Sequence, residues 1–378
     1  MGGGLLQLVA YGAQDVYLTG NPQITFFKVA YRRHTNFSME SIEQTFNGTA
    51  DFGRRVTCQI SRNGDLIHRM YLQVAITGAT IAANTYAGLA LVKSVELEIG
   101  GQRIDKQYGD WMFIWNELSL PQGKRTGFKT MVGADAVTTT DTTLYIPLEF
   151  WFCRNPGLAL PLIALQYHEV KVNLEFEAAA TAGITAGTMG TASLWVDYIF
   201  LDTDERRRFA QLSHEYLIEQ LQFTGEETVT TGANKIKLNF NHPVKELVWV
   251  LQENSAYFGN YTVTSGSYTR TAAGLVSTAK LQLNGHDRFA ERGGKYFELV
   301  QPYQHHENIP EATRGISVYS FSLKPEEHQP SGTLNFSRID SAVLSVTAVA
   351  DATKARVYAV NYNVLRVMSG MGGLAYSN

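Results

Sequence analysis

Cysteine is nearly absent: Cys58 and Cys153 are the only two in 378 residues. Two thiols cannot supply a disulfide framework, and neither sits in a metal-ligand spacing. Such usage suits a reducing compartment or indifference to redox state. Charge is also sparse, at 18% of residues with a net of −3. Without a basic run there is no electrostatic footprint for nucleic acid, so direct nucleic-acid binding is not expected. No stretch reaches the roughly 18 consecutive apolar residues of a membrane span. The opening Met1-Gly2-Gly3-Gly4-Leu5-Leu6-Gln7 has neither a basic leader nor a full apolar segment, and is not read as a secretory signal. Leu6 stands where the myristoylation pattern wants Ser or Thr. Catalytic signatures are missing too: there is no Gly-x-Ser-x-Gly elbow, phosphate loop, dinucleotide fingerprint or His-x-His metal pair.

What is present is β text, and it comes twice. Apolar residues make up 44% and aromatics 11%, with 33 glycines, a composition that suits sheets joined by turns. Val95-Glu96-Leu97-Glu98-Ile99 alternates and then meets Gly100-Gly101; Ala279-Lys280-Leu281-Gln282-Leu283 alternates and then meets Asn284-Gly285. Alternation marks a half-buried strand, and these pairs tolerate the positive φ angles of a tight hairpin. Neighbouring strands repeat in the same order. Val56–Ile60 and Met70–Val74 parallel Ile236–Phe240 and Leu247–Val250, and Tyr145–Phe150 parallels Val318–Leu323. Leu160-Pro161 with Val170–Leu174 parallels Gln329-Pro330 with Ala342–Val346, and Val196–Phe200 parallels Val360–Val364. This is a duplication of one all-β domain.

Longer motifs point further. Residues 2 to 37, Ile60–Ile67, Val95–Lys106 with Gly109-Asp110-Trp111, Asn155–Val170, Val196–Asp202 and Phe209–Phe223 resemble major capsid proteins of nucleocytoplasmic large DNA viruses, above all the algal-virus branch. In the second half Phe240-Asn241-His242-Pro243, Gln329–Thr333, Ser337–Asp340 and Asn361–Leu374 carry the same resemblance. It implies two eight-stranded jelly-roll sandwiches in one chain, three chains forming a pseudo-hexagonal homotrimer, and a structural role in an icosahedral virion shell. The implied partners are further copies, minor capsid proteins and an internal virion membrane, with assembly in the host cytoplasm. The expected domains are a base segment 1–26, a first jelly roll 27–212 and a second 213–378. A carbohydrate-binding jelly roll without a capsid role is the alternative.

Particular residues carry particular expectations. Leu5, Leu6, Val9 and Tyr11 belong to the base segment; Leu5, Leu6, Val9 and Ala10 fall at helical spacing. Ile24–Val29 reads as a strand, and Asp202 or Thr203 reads as a helix start. Gly109–Thr143, Ala178–Thr191, Glu253–Ser277 and Gln301–Arg314 read as irregular loops. Four Asn-x-Ser/Thr sequons are candidates for N-linked glycans: Asn36, Asn47, Asn260 and Asn335. Asn260 lies in loop-like text, whereas Asn36 and Asn335 precede Phe-Ser in strand-like text where burial or pairing is expected. His305-His306-Glu307 reads as a polar loop rather than a metal site, Glu149 and Glu175 as outward strand carboxylates, and Gly370–Gly373 as a flexible terminal arm. No cofactor and no catalytic constellation are expected.

Overall fold

The computed structural model describes residues 3–81, 86–134, 139–253, 275–310, 315–349 and 352–376. The chain divides into a short unit, residues 1–36, and a large one, residues 37–378. In the short unit Gly3–Val9 and Val16–Thr19 are helical, the first of them where the apolar spacing placed it. The strand expected over Ile24–Val29 is instead turn and coil. Strand propensity is expressed only where a second strand supplies a ladder, and no described strand pairs with this stretch.

The large unit holds the strands. Apart from the two-residue strand Leu160–Pro161, the first eight are β1 (Phe37–Gln44), β2 (Arg55–Gln59), β3 (Leu66–Ile81), β4 (Val92–Ile99), β5 (Gln102–Gln107), β6 (Thr142–Pro147), β7 (Val170–Phe176) and β8 (Ile184–Leu201). Apart from the two-residue strands Arg292–Gly293 and Leu334–Asn335, the next eight are β9 (His214–Thr228), β10 (Gly232–Leu238), β11 (Pro243–Glu253), β12 (Val276–Leu283), β13 (His286–Asp287), β14 (Ile316–Ser320), β15 (Ala342–Ala348) and β16 (Ala352–Met368). A last strand, β17 (Met371–Leu374), pairs with β16. The first sandwich packs the sheet β1-β8-β3-β6 on the sheet β2-β7-β4-β5; the second packs β9-β16-β11-β14 on β10-β15-β12-β13. Adding eight to each label of the first sandwich gives the second. Each is a jelly roll, so the duplication seen in the sequence is a duplication of topology.

Local chemistry explains the turns. Gly100 and Gly101 have φ of 58° and 85°, and Asn284 and Gly285 have 49° and 81°, the left-handed pair that a two-residue hairpin requires. Asp202 caps the helix Thr203–Gln211 between the sandwiches, its side chain accepting from the Thr203 N–H.

The ladders also correct the sequence parallels. Met70 opposes Val196 in the first sandwich, and Leu247 opposes Ala359 in the second, all four pointing into their cores. Val196 therefore corresponds to Ala359, not to Val360, and a one-residue slip exchanges the two faces of a strand. Likewise Leu160–Pro161 pairs on β3 as Leu334–Asn335 pairs on β11, which displaces the proposed Gln329-Pro330 counterpart.

Several expected loops are ordered. Within Gly109–Thr143 lie the helices Gly109–Ser119 and Gln122–Met131. The first is buried nearly all round, Asn116 and Glu117 along with Trp111, Phe113, Ile114 and Leu118, so no solvent-facing polar stripe marks its period. Residues 184–191 extend β8, and Gln301–His305 is helical. Most of Glu253–Ser277 lies outside the described residues.

The glycine-rich C-terminus is not a flexible arm. Ser369 and Gly370 turn the chain at φ 53° and 80°, and β17 runs back along β16. It also reaches the first sandwich: the Tyr167 N–H donates to the Gly370 carbonyl at 2.9 Å, Leu374 N–H donates to Gln102 Oε1 at 3.3 Å, and His168 Nδ1 lies 2.9 Å from the Gly372 carbonyl oxygen. A Cβ at Gly370 would stand 2.5 Å from the Tyr167 ring. Gly370→Val should therefore cost about 2 kcal/mol through positive φ and overpacking, read as a lower midpoint in urea. Gly127 lies within a helix with open space at its Cβ position, so Gly127→Ala should instead gain about 0.5–1 kcal/mol.

Candidate assembly surface

The two sandwiches share a seam. In β9-β16-β11-β14 the residues Leu247, Trp249, Ala355 and Val357 face the second sandwich's own core. The opposite face presents Val248, Val250, Ile316, Val318, Tyr358 and Val360, which are buried in the core of the first sandwich. This sheet is covered on both faces. From the first sandwich Trp111 packs on Tyr358 at 5.4 Å between ring centroids, and Tyr108 meets Phe223 edge-on at 5.0 Å. Fully burying one such aliphatic or aromatic side chain contributes about 1.5–3 kcal/mol, so six or more make the seam a cohesive interior.

Charges buried along the seam are paired. Glu219 of β9 lies 3.0 Å from Arg154 of the first sandwich and 2.8 Å from the fully buried Lys245. His328 Nδ1 stands 3.6 Å from the same carboxylate, and the Arg154 guanidinium lies 4.1 Å from the Trp115 ring centroid. Burial alone would raise the Glu219 pKa, but Lys245, His328 and Arg154 outweigh it and hold it down at about 2. Asp105 accepts the backbone N–H of Leu221 at 3.1 Å. Its burial pushes the carboxyl up to about 6, against that bond, Gln107 and Arg154. Arg356 pairs with Asp110 of the first sandwich and with Glu226.

The two strand carboxylates, Glu149 and Glu175, lie in different surroundings. Glu149 does not point outward: it turns to the seam, 3.8 Å from Arg154, and burial raises its pKa against the pull of Arg154 and Asn116. Its strand ends at Pro147, so the alternation that placed it outside no longer applies. Glu175 does lie partly exposed, paired with Lys93 at 2.7 Å.

His306 is not in a solvated loop. Its Nε2 lies 3.0 Å from Glu246 Oε2, its Nδ1 lies 2.8 Å from Glu326 Oε1, and the ring is fully buried. Burial would lower its pKa, yet the two carboxylates outweigh this and raise it to about 9. Both ring nitrogens face carboxylate oxygens, an arrangement that favours the protonated ring. Two residues on, the Asn308 N–H donates to the Leu118 carbonyl at 3.0 Å and its side chain donates to Leu120. The second sandwich thereby caps the first sandwich's helix.

The remaining candidates are on the surface. Leu5, Leu6, Val9 and Tyr11 are all exposed. Asn36 is exposed in coil, not buried or paired as its Phe-Ser context suggested. Asn47 is exposed, its N–H donating to the Thr57 carbonyl at 2.7 Å. Asn335 is exposed, but its Oδ1 accepts the Ser337 N–H and the Ser337 hydroxyl accepts the His242 N–H, so the sequon's polar groups are engaged. Asn260 lies outside the described residues. Sequence reading missed an aromatic cluster on the outer face of β1-β8-β3-β6. Tyr71 and Trp195 stack at 6.2 Å with planes 2° apart, and Tyr145 lies 6.3 Å from Tyr71. The available signal was large aromatics at the polar phase of alternating strands.

Two copies of one jelly roll joined by a buried seam define a double jelly-roll protein. A family model described as major capsid protein N-terminus matches residues 25–202, and one described as large eukaryotic DNA virus major capsid protein matches residues 205–373. The major capsid protein of Pyramimonas orientalis virus is 60% identical, and that of Paramecium bursaria Chlorella virus 1 is 48% identical, each over 100% of both chains. The crystal structure of PBCV-1 VP54, fitted into a reconstruction of the virophage Sputnik, superposes with a TM-score of 0.85 at 43% identity, over 94% of this chain and 100% of that one. The Faustovirus major capsid protein, at 13% identity, shares the fold with a TM-score of 0.73 over 95% of this chain and 94% of that one. The chain belongs to the major capsid proteins of large eukaryotic DNA viruses.

The seam's charges set a pH window. Glu219, with its pKa lowered, stabilises fully above its unfolded value of 4.5 and loses this as pH falls toward 2. His306, with its pKa raised, stabilises fully below 6.5 and loses this as pH rises through about 9. Each shift corresponds to about 3 kcal/mol at most. Melting temperature against pH should fall at both ends, and His306→Gln should flatten the alkaline limb while lowering the plateau. An unchanged alkaline limb in that variant would remove His306 from the account.

Proposed function

We propose that the chain is the structural subunit of an icosahedral viral shell, with three copies joining as a pseudo-hexagonal capsomer. The observation that carries this is the pair of topologically identical sandwiches fused through a buried seam, in a chain 43% identical to the protein of a PBCV-1 capsid structure. Three such chains present six near-equivalent sandwiches, so a threefold assembly fits a hexagonal lattice. Low charge density lets many copies pack without long-range repulsion. The role is structural rather than catalytic, located in the virion capsid, with assembly in the host cytoplasm.

The segment with exposed Leu5, Leu6, Val9 and Tyr11 would meet minor capsid proteins and the inner membrane. Asn36 and Asn47 are the better placed glycan acceptors, since their side chains are exposed and their sequons are not tied up as at Asn335. Light scattering of the purified protein should give a sharp species near three times 42.0 kDa; a monomer at every concentration would overturn the capsomer. Removing residues 1–26 should spare the trimer and reduce shell assembly, seen by electron microscopy. Loss of the trimer itself would refute the anchoring role.

A further inference from the structure

A cleft of about 420 Å³ opens where β5 of the first sandwich meets β9 of the second. The turn Asn239–His242 and the end of the chain, at Leu374 and Tyr376, complete its walls. It is therefore built only when both sandwiches and β17 are in place. Two sheet edges brought this close would ordinarily pair or have to be blocked. Here side chains stand between them. Gln220 donates through Nε2 to the Ile104 carbonyl, and the Leu221 N–H donates to Asp105 Oδ1 at 3.1 Å. Asp105 Oδ1 also accepts the Lys106 N–H, and its Oδ2 accepts Gln107 Nε2, each at 3.0 Å. Asn363 Nδ2 donates to Gln220 Oε1 and to the Tyr376 carbonyl, both at 2.9 Å. Gln222 and the Asn241 backbone bond reciprocally at 2.6 and 2.9 Å. These bonds hold the edges apart and fix the shape of the floor.

What the cleft leaves unengaged is positive. Its charged and titratable lining is Arg103, Lys106 and His242 against the single carboxylate of Asp105, both of whose oxygens are taken, and the hydroxyls of Tyr108 and Tyr376. Lys106 is committed to Glu96 at 2.8 Å. Arg103 is exposed, opens the strand that returns from the Gly100-Gly101 turn, and enters no ion pair among the described residues. His242 holds left-handed backbone at φ 63°, which L residues adopt at a cost. Its N–H donates to Ser337 Oγ at 2.8 Å and its carbonyl accepts the Phe336 N–H at 3.0 Å, so the strained position is clamped from outside the cleft. Asn284 and Ser369 use the same backbone to turn hairpins. His242 turns none, and it lines the cleft.

We infer that this cleft binds a small anionic solute, a phosphate or carboxylate carried on a hydroxyl-rich body, with Arg103 and His242 taking the charge. A guanidinium offers paired donors that match the oxygens of either acid. With the one carboxylate saturated, the lining favours a ligand that accepts hydrogen bonds over a cation that donates them. The volume lies in the range of small-molecule sites, and Thr224, Asn239 and Tyr376 supply hydroxyl and amide groups for the uncharged part. A ligand seated here touches both sandwiches at once, so its binding stabilises the joined fold by mass action.

Glucose 6-phosphate and glucuronate are the probes, with glucose as the uncharged control, each titrated calorimetrically into the full-length protein as purified. At least one of the two acids should bind and raise the melting temperature, with an affinity that falls as salt is added. Which of them binds tells phosphate from carboxylate. Arg103→Gln and His242→Asn should each weaken that binding at least tenfold; asparagine tolerates the left-handed backbone and removes the imidazole. Lys237→Gln, an exposed lysine outside the cleft, should bind as wild type does. Binding of neither acid, glucose binding as tightly as the acids, undiminished binding in either cleft variant, or equal weakening in Lys237→Gln would each overturn the site. Should a cleft variant fail to fold, carbethoxylation of His242 in the wild-type protein decides: slowing by the bound acid supports the assignment, and an unchanged rate overturns it.

Discussion

Everything in the large unit depends on one sheet being dry on both sides. A sheet in a free-standing sandwich has one apolar face and one wet face. The strands β11, β14 and β16 carry apolar residues at successive positions, as in Leu247-Val248-Trp249-Val250-Leu251, because Leu247 and Trp249 serve one core and Val248 and Val250 serve the other. The seam is therefore an interior rather than a docking of finished domains. Inter-domain contacts of the ordinary kind permit relative motion; a shared sheet face of this composition does not.

The paired charges follow from that burial. Lys245 is fully buried, and an isolated ammonium there would cost more than the fold could bear. Glu219 meets it at 2.8 Å, and the same carboxylate also holds Arg154 from the other sandwich. The apolar contacts supply the cohesion. The ion pairs restrict the seam to the one registration in which every buried charge meets its partner.

How far this could be read beforehand depended on whether a pattern had contrast. The hairpins were legible because Gly100-Gly101 and Asn284-Gly285 sit in left-handed backbone that few other residues accept. Asp202 was legible as a cap for a similar reason. The helix Gly109–Ser119 was not, since burial on all sides erased its periodicity, and Val196 was matched one residue out because both faces of β16 are apolar. Gly370 and Gly372 looked like flexibility when they were close approach: a Cβ on Gly372 would stand 2.6 Å from Leu165. His306 acquires its environment from Glu246 and Glu326, far away in sequence, and Glu149 turns to the seam because its strand has ended two residues before it, so alternation announces neither. The aromatic face of the first sandwich was hidden by the assumption that the polar phase of a strand faces water.

Strand β17 adds an ordering in time. It is synthesised after all the strands it helps to join, yet it completes contacts with Tyr167, His168 and Gln102 of the first sandwich. While the second half is still on the ribosome, the first sandwich has its strands but lacks the cover for Tyr108 and Trp111. A nascent chain of this design thus carries a bare apolar flank through much of its synthesis, at concentrations where copies are made side by side. The sandwich that folds first is the one exposed to misassociation, and that flank is covered only once β16, which carries Tyr358, has been made.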